Sequence, residues 1–222
     1  MPRETQELVR KGGFMNAEKF YVLSYEGEVT EKKYFQDLRD SELFNNSGNI
    51  ETIPLKRPSK SSSNPLEVKK LLKKAKEDFN FKPTDEFWLI IDRDDWSTIH
   101  QVDLPKLADD CRVEHNFFLA LSNPCFEIWL ILHLKDLSEF NEKELKLLCE
   151  NPRVSCKKHY VDTVIDESMD NGRGYNKRPN PRIFLPHTRE AIERAKALSK
   201  NRELFPSGIG TDVYKLVEKL IK

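Results

Sequence analysis

Five consecutive apolar residues, Phe87 to Ile91, stand between Glu86 and Asp92. A continuous apolar run of this length reads as a strand buried on both faces, the kind that lies inside a parallel sheet with helices above and below. The rest of the chain must therefore supply parallel neighbours and two layers of helix.

It does so in order. Phe20 to Tyr25 is a short apolar and aromatic run and reads as a first strand. The polar segment after it carries Tyr34, Phe35 and Leu38 at helical spacing and reads as an amphipathic helix ending near Leu43 and Phe44. Residues 45–49 form a loop, and Ile50 to Leu55 alternates like a second strand. The Ser/Lys-rich stretch Pro58 to Pro65 is expected to be a flexible surface loop. Pro65 then opens a helix from about Leu66 to Phe79. After the strand at 86–92, Leu104 to His115 reads as a helix and Asn116 to Ser122 as a fourth strand. Ser122, Asn123 and Pro124 are expected to cap a helix from Cys125 to about Leu134. Beyond it the strand pattern stops. Residues 141–150 look helical, 151–182 look irregular, and helices are expected at about Leu185–Ser199 and Thr211–Ile221. The predicted fold class is α/β, a parallel sheet flanked by helices with a helical C-terminal extension. Residues 1–17 are expected to be a flexible tail, 18–135 the α/β domain, and 136–222 a helical extension packed on it.

Composition narrows the function classes. Lys+Arg and Asp+Glu both number 37, so zero net charge gives no global argument for nucleic-acid binding, and any such surface must come from local clustering. The longest apolar stretch outside the strands, Phe126 to Leu134, is interrupted by Glu127 and reads as a buried helix rather than a membrane span, which needs roughly 20 residues. The four cysteines have no paired spacing and, with no signal-peptide pattern, are expected to be reduced thiols of a cytoplasmic protein. Cys149 and Cys156 lie outside the usual knuckle spacing of zinc sites. No Gly-rich phosphate loop is present, so if ATP matters a partner brings it.

The chemistry-bearing pattern is acidic. Glu26 follows the first strand, and Asp92-Arg93-Asp94-Asp95 ends the third. In the strand order 2-1-3-4 these strands are neighbours, and their carboxyl ends lie where open α/β sheets bind ligands. Glu26, Asp92 and Asp94 would then converge. Clustered carboxylates suit a hard divalent cation, Mg²⁺ or Mn²⁺, which keeps some waters and completes its shell with phosphate oxygens. The other reading of each acid is a helix cap or a solvated turn.

The segment Glu26-Gly27-Glu28-Val29-Thr30-Glu31, with Tyr34-Phe35 and then Asp92-Arg93-Asp94, resembles the TOPRIM signature of topoisomerases, primases and the overcoming-lysogenization-defect (OLD) nucleases. With Ser122-Asn123-Pro124-Cys125-Phe126-Glu127, Gly174-Tyr175-Asn176-Lys177, Ala191 to Lys196 and Gly210 to Val217, the chain is similar more specifically to the RloB-like family, over most of residues 20–220. The resemblance implies a TOPRIM-like domain at 18–135 and a nuclease in bacterial anti-phage defence of the abortive-infection kind, working beside an ABC/AAA-type ATPase. It implies Glu26, Glu31, Asp92 and Asp94 as metal ligands for one or two ions, and Glu127 and Lys177 as further catalytic groups. The glutamates of the first motif are one residue further apart than in those nucleases, and Asp95-Trp96 replaces their glycine turn. Glu127 equally suits the first turn of a helix, where the dipole favours an acid. Lys177 could neutralise transition-state charge. It could equally join Arg93, Arg178 and the cations around Lys157-Lys158-His159 in contacting phosphates, or in a solvated loop. Two function classes remain open: a Mg²⁺-dependent nuclease, and a non-catalytic nucleic-acid-binding or regulatory subunit of the ATPase.

Overall fold

The apolar run from Phe87 to Ile91 lies at the centre of a five-stranded sheet. The computed structural model describes residues 19–27, 29–45, 50–54, 65–78, 81–93, 103–169, 174–199, 206 and 208–222. The expected tail 1–17, the loop at 58–64, Phe79 and Asp94 to Trp96 lie outside the described residues. The strands are β1 (Lys19–Tyr25), β2 (Ile50–Pro54), β3 (Glu86–Asp92), β4 (Phe117–Asn123) and β5 (Gly210–Thr211), in the spatial order β2-β1-β3-β4-β5. The first four are parallel, with Tyr25 opposite Ile90 and Ile90 opposite Ala120, and β5 adds antiparallel to β4. The neighbours expected from the sequence, β1 and β3, are neighbours.

Alternation along β1 and β3 divides the interior in two. Val22, Phe87, Leu89 and Ile91 face helices α2 (Pro65–Asp78) and α3 (Leu104–Val113), where they meet Val68, Leu72 and Leu107. Tyr21, Leu23, Tyr25, Trp88 and Ile90 face the other way. There α1 (Thr30–Arg39), α4 (Glu127–Leu134), α6 (Tyr160–Ser168), α8 (Thr188–Ser199) and α9 (Val213–Leu220) build a thicker layer. α5 (Glu142–Glu150) and the short α7 (Pro181–Phe184) complete the chain among the described residues. The C-terminal helices thus share one continuous apolar cluster with the sheet. Almost all of α4 is buried, Glu127 included, because it lies between the sheet and α6 and α8. Among the described residues no helix is long and apolar enough to cross a membrane.

Three local expectations differ. The stretch expected to be irregular contains α6, a helix whose Val161, Val164 and Ile165 are buried at positions i, i+3 and i+4. Its β-branched residues lower intrinsic helix propensity, and burial overrides them. Thr211 does not open the last helix but pairs as a strand with Ser122, and α9 begins at Val213. The same pairing takes the side chains expected to cap α4. Ser122 Oγ lies 2.8 Å from Thr211 Oγ1, and the Asn123 amide donates to Gly208 O at 2.7 Å. The chain then turns through a cis Asn123–Pro124 bond, and α4 begins at Glu127 without a side-chain cap.

The packing of α6 generates a stability prediction. Ile165 is fully buried and Val113 is 82% exposed. Ile165→Ala should destabilise the protein by about 2–5 kcal/mol, while Val113→Ala should change it by less than about 0.5 kcal/mol. Urea unfolding followed by circular dichroism measures both, and similar midpoints for the two variants would mean that α6 is not part of the common core.

Candidate active site

Parallel pairing brings the ends of β1 and β3 together, and the Glu26 carboxylate extends the pairing beyond the backbone. The Glu26 amide donates to Ile90 O at 2.9 Å, and two residues on the Asp92 amide donates to Glu26 Oε2 at 3.0 Å. Glu26 is therefore buried and aimed along β3, with half-buried Asp92 next to it. The Arg93 amide donates to Ser122 O at 2.7 Å, which ties the residue after β3 to β4. Asp94, the third acid of the expected set, lies outside the described residues.

Glu31 sits in the first turn of α1 and folds back toward Gly27 ahead of the helix. Its Oε1 accepts from the Gly27 amide at 2.8 Å, and a Cβ at position 27 would collide with this carboxylate. A glycine after Glu26 thus leaves room for the Glu31 carboxylate, which any larger residue there would displace. Burial, and after it the charge of Glu127, push the Glu31 carboxyl up to about 7, against the opposing pull of the Gly27 amide and Lys177.

Glu127, in the first turn of α4, extends its carboxylate to the opposite wall. Its Oε1 accepts from Lys177 Nζ at 2.9 Å and from the Tyr175 hydroxyl at 3.2 Å. The Thr30 hydroxyl lies 3.3 Å from the same oxygen and 3.1 Å from the Lys177 carbonyl, so it can donate to either. Burial alone would raise the Glu127 carboxyl, but the Lys177 charge and hydrogen bond hold it below the usual range. Lys177 also lies 2.7 Å from Asp162 Oδ1 on α6. Burial would lower this ammonium's pKa, yet Glu127 and Asp162 together raise it above that of a free lysine. Desolvation and the Glu127 charge keep the Tyr175 phenol protonated, so it remains a donor.

The structure therefore groups the sequence-derived residues into two sets. Glu26 and Asp92 form one, and Glu127 and Lys177, with Glu31 nearby, form the other. Arg178 is exposed and its amide caps onto Asn176 Oδ1, while Lys158 pairs with Asp166 rather than standing open to a phosphate. Asp162, Tyr175 and Thr30 were not singled out from the sequence. Tyr175 and Thr30 lie inside the motifs quoted for the resemblance, and Asp162 stands in the stretch taken as irregular.

Among the described residues no three His, Cys, Asp or Glu side chains form a metal-binding group. Glu26 and Asp92 nevertheless suit Mg²⁺ or Mn²⁺, because such an ion takes one or two carboxylates from a protein and fills its shell with water and phosphate oxygens. Compared with known proteins, residues 21–220 match the model of the RloB-like protein family. No curated protein and no solved structure matches.

The raised Glu31 carboxyl makes stability depend on pH. The unfolded chain releases this proton near 4.5 and the folded chain near 7. Between those values the folded state binds more protons, so the contribution of Glu31 is fully present below 4.5 and is lost as pH rises through about 7. Glu31→Gln keeps an acceptor for the Gly27 amide and removes the titration. It should gain stability over the parent on the order of 2–3 kcal/mol between pH 4 and pH 8. Parallel melting curves for the two proteins across that range would show that Glu31 is not held in this way.

Proposed function

The chain belongs to the RloB-like family, and on that footing we propose that it is a Mg²⁺- or Mn²⁺-dependent nuclease of the TOPRIM type that hydrolyses phosphodiester bonds at the carboxyl edge of its sheet. The observation that carries the reading is the junction of β1 and β3, where the Glu26 carboxylate accepts from the Asp92 amide and both acids face the same edge. Glu26, Asp92 and Asp94 would hold the ion. When bound, a divalent cation supplies Lewis-acid polarisation of the phosphodiester and a more acidic water. The chain's own residues do the remainder. Glu26 is fixed by its hydrogen bond to β3 and so holds one carboxylate oriented without reorganisation. Lys177, 41% exposed, presents a positive charge to an approaching phosphate from the opposite wall. Arg93, next to Asp92 in the chain, and exposed Arg178, next to Lys177, would serve as phosphate contacts. The biological setting proposed with this activity is a cytoplasmic anti-phage module with an ABC/AAA-type ATPase as partner.

One observation favours a second reading, a binding or regulatory subunit without catalysis. Lys177 already neutralises Glu127, and a site for nucleic-acid binding alone has use for a fixed ammonium there.

The discriminating experiment is a nuclease assay on purified protein against single- and double-stranded DNA and RNA, with Mg²⁺, Mn²⁺ or chelator, each with and without the ATPase. Cleavage that requires metal is the expected result. Asp92→Asn should take it below detection and also remove the metal-induced stabilisation seen as a rise in melting temperature, which mass action sets at about 2.7 kcal/mol of free energy when metal stands near 100 times its Kd. Asp92→Asn protein that binds Mn²⁺ as tightly as the parent would overturn the site and the nuclease reading together.

A further inference from the structure

Two buried carboxylates from two helices meet one ammonium. Glu127 comes from α4 and Asp162 from α6, and the cation between them is Lys177. The Glu127 and Asp162 side chains are only 7% and 2% exposed. Two carboxylates in so little water form a corner that must hold a positive charge.

Every element around Lys177 fixes it in that corner. Its backbone is in the left-handed region at φ 65°, which a lysine occupies only where its surroundings impose it. Its carbonyl lies within reach of the Thr30 hydroxyl, and its ammonium meets Glu127 at 2.9 Å and Asp162 at 2.7 Å. Asp162 cannot turn away, because its Oδ2 accepts from the His159 amide at 3.0 Å in the first turn of α6. One turn further along α6, Asp166 accepts from the Tyr175 amide and pairs with Lys158. Two successive turns of the same helix thus hold the segment that carries the lysine. Glu127 Oε1 in turn faces three donors, from Lys177, Tyr175 and Thr30. Hydrogens aimed at an oxygen repel a metal ion seeking the same lone pairs.

We propose that Lys177 is the resident cation of the corner formed by Glu127 and Asp162, fixed there by Asp162 as a positioning residue, and that the corner admits no divalent ion at Glu127. This deepens the nuclease reading and rests on it for its bearing on cleavage. On that reading, the charge facing the substrate across the sheet edge belongs to the chain and is not recruited from solution, and metal is taken only on the Glu26 side. The occupancy of the corner can be measured without any cleavage, so failure of the nuclease reading leaves the measurement intact.

The test counts Mn²⁺ bound per full-length chain by electron paramagnetic resonance titration with the metal alone. Lys177→Met should bind one more Mn²⁺ than the parent, and Lys177→Arg should bind the same number as the parent. Glu127→Gln in the otherwise unchanged protein should lose none. Equal counts for the parent and Lys177→Met, or a site lost in Glu127→Gln, would overturn the proposal. Glu127→Gln decides alone if Lys177→Met does not fold. The role of Asp162 is read separately, from amine acylation of Lys177 followed by mass spectrometry at fixed pH. Asp162→Asn should label Lys177 several-fold faster than the parent, with Asp162→Glu restoring slow labelling. Unchanged labelling in Asp162→Asn would remove Asp162 from the assignment.

Discussion

A strand with no polar face cannot lie at the surface of anything, and β3 is such a strand. Its residues from Phe87 to Ile91 are all buried, alternately against the two sides of the sheet. That requirement fixes the layer architecture before any loop is considered. The side closed by α2 and α3 needs only the helices that connect consecutive strands. The opposite side needs more cover, and the chain after β4 provides it. α4, α6, α8 and α9 contribute Trp129, Ile165, Ala195 and Leu216 to the cluster that also contains Trp88 and Ile90. These helices have apolar stripes but no separate interior of their own. Their burial against the sheet is the reason the C-terminal half is ordered there.

The same constraint produces the site. Strand order 2-1-3-4 leaves the carboxyl ends of β1 and β3 adjacent, with their onward connections departing on opposite faces of the sheet. Backbone at such a point runs out of ladder partners, and the Glu26 side chain provides the next acceptor, for the Asp92 amide. On the other wall, α4 delivers Glu127 at the start of a helix so apolar that its first turn is buried as well. A carboxylate buried there requires donors, and Tyr175, Thr30 and Lys177 are those donors. The need to satisfy Glu127 thus draws a distant segment, almost fifty residues further along the chain, into the site.

The sheet was legible because strands buried on both faces advertise themselves as unbroken apolar runs, and their adjacency followed from connection rules. Glu26 and Asp92 were legible for the same reason, since strand ends at a switch point have a known place. What stayed hidden depended on tertiary context. α6 carries Val161, Thr163, Val164 and Ile165, residues that favour extended backbone, and only packing against α4 makes a helix of them. Asp162 was lost with it, and in the structure its carboxylate accepts from the His159 amide at the start of that helix. Ser122 and Asn123 were read as a cap because the antiparallel pairing with Gly210–Thr211 joins residues almost ninety positions apart and leaves no local trace.

Zero net charge looked uninformative in the sequence, and the structure gives it a meaning. Near the carboxyl edge of the sheet Glu26 accepts from the Asp92 amide, while Glu127 and Asp162 share Lys177. On the proposed reading, a polyanion such as nucleic acid would be repelled by carboxylates at that edge until a multivalent cation is added, whereas a site meant only to bind a phosphate backbone would gain from the opposite balance. An excess of acids where a phosphate must approach is therefore more costly for a binding module than for a metal-dependent hydrolase, in which the ion reverses the sign of the field at the point of attack. The elevated carboxyl of Glu31 has burial as its first cause and the Glu127 charge as its second, with Lys177 pulling the other way.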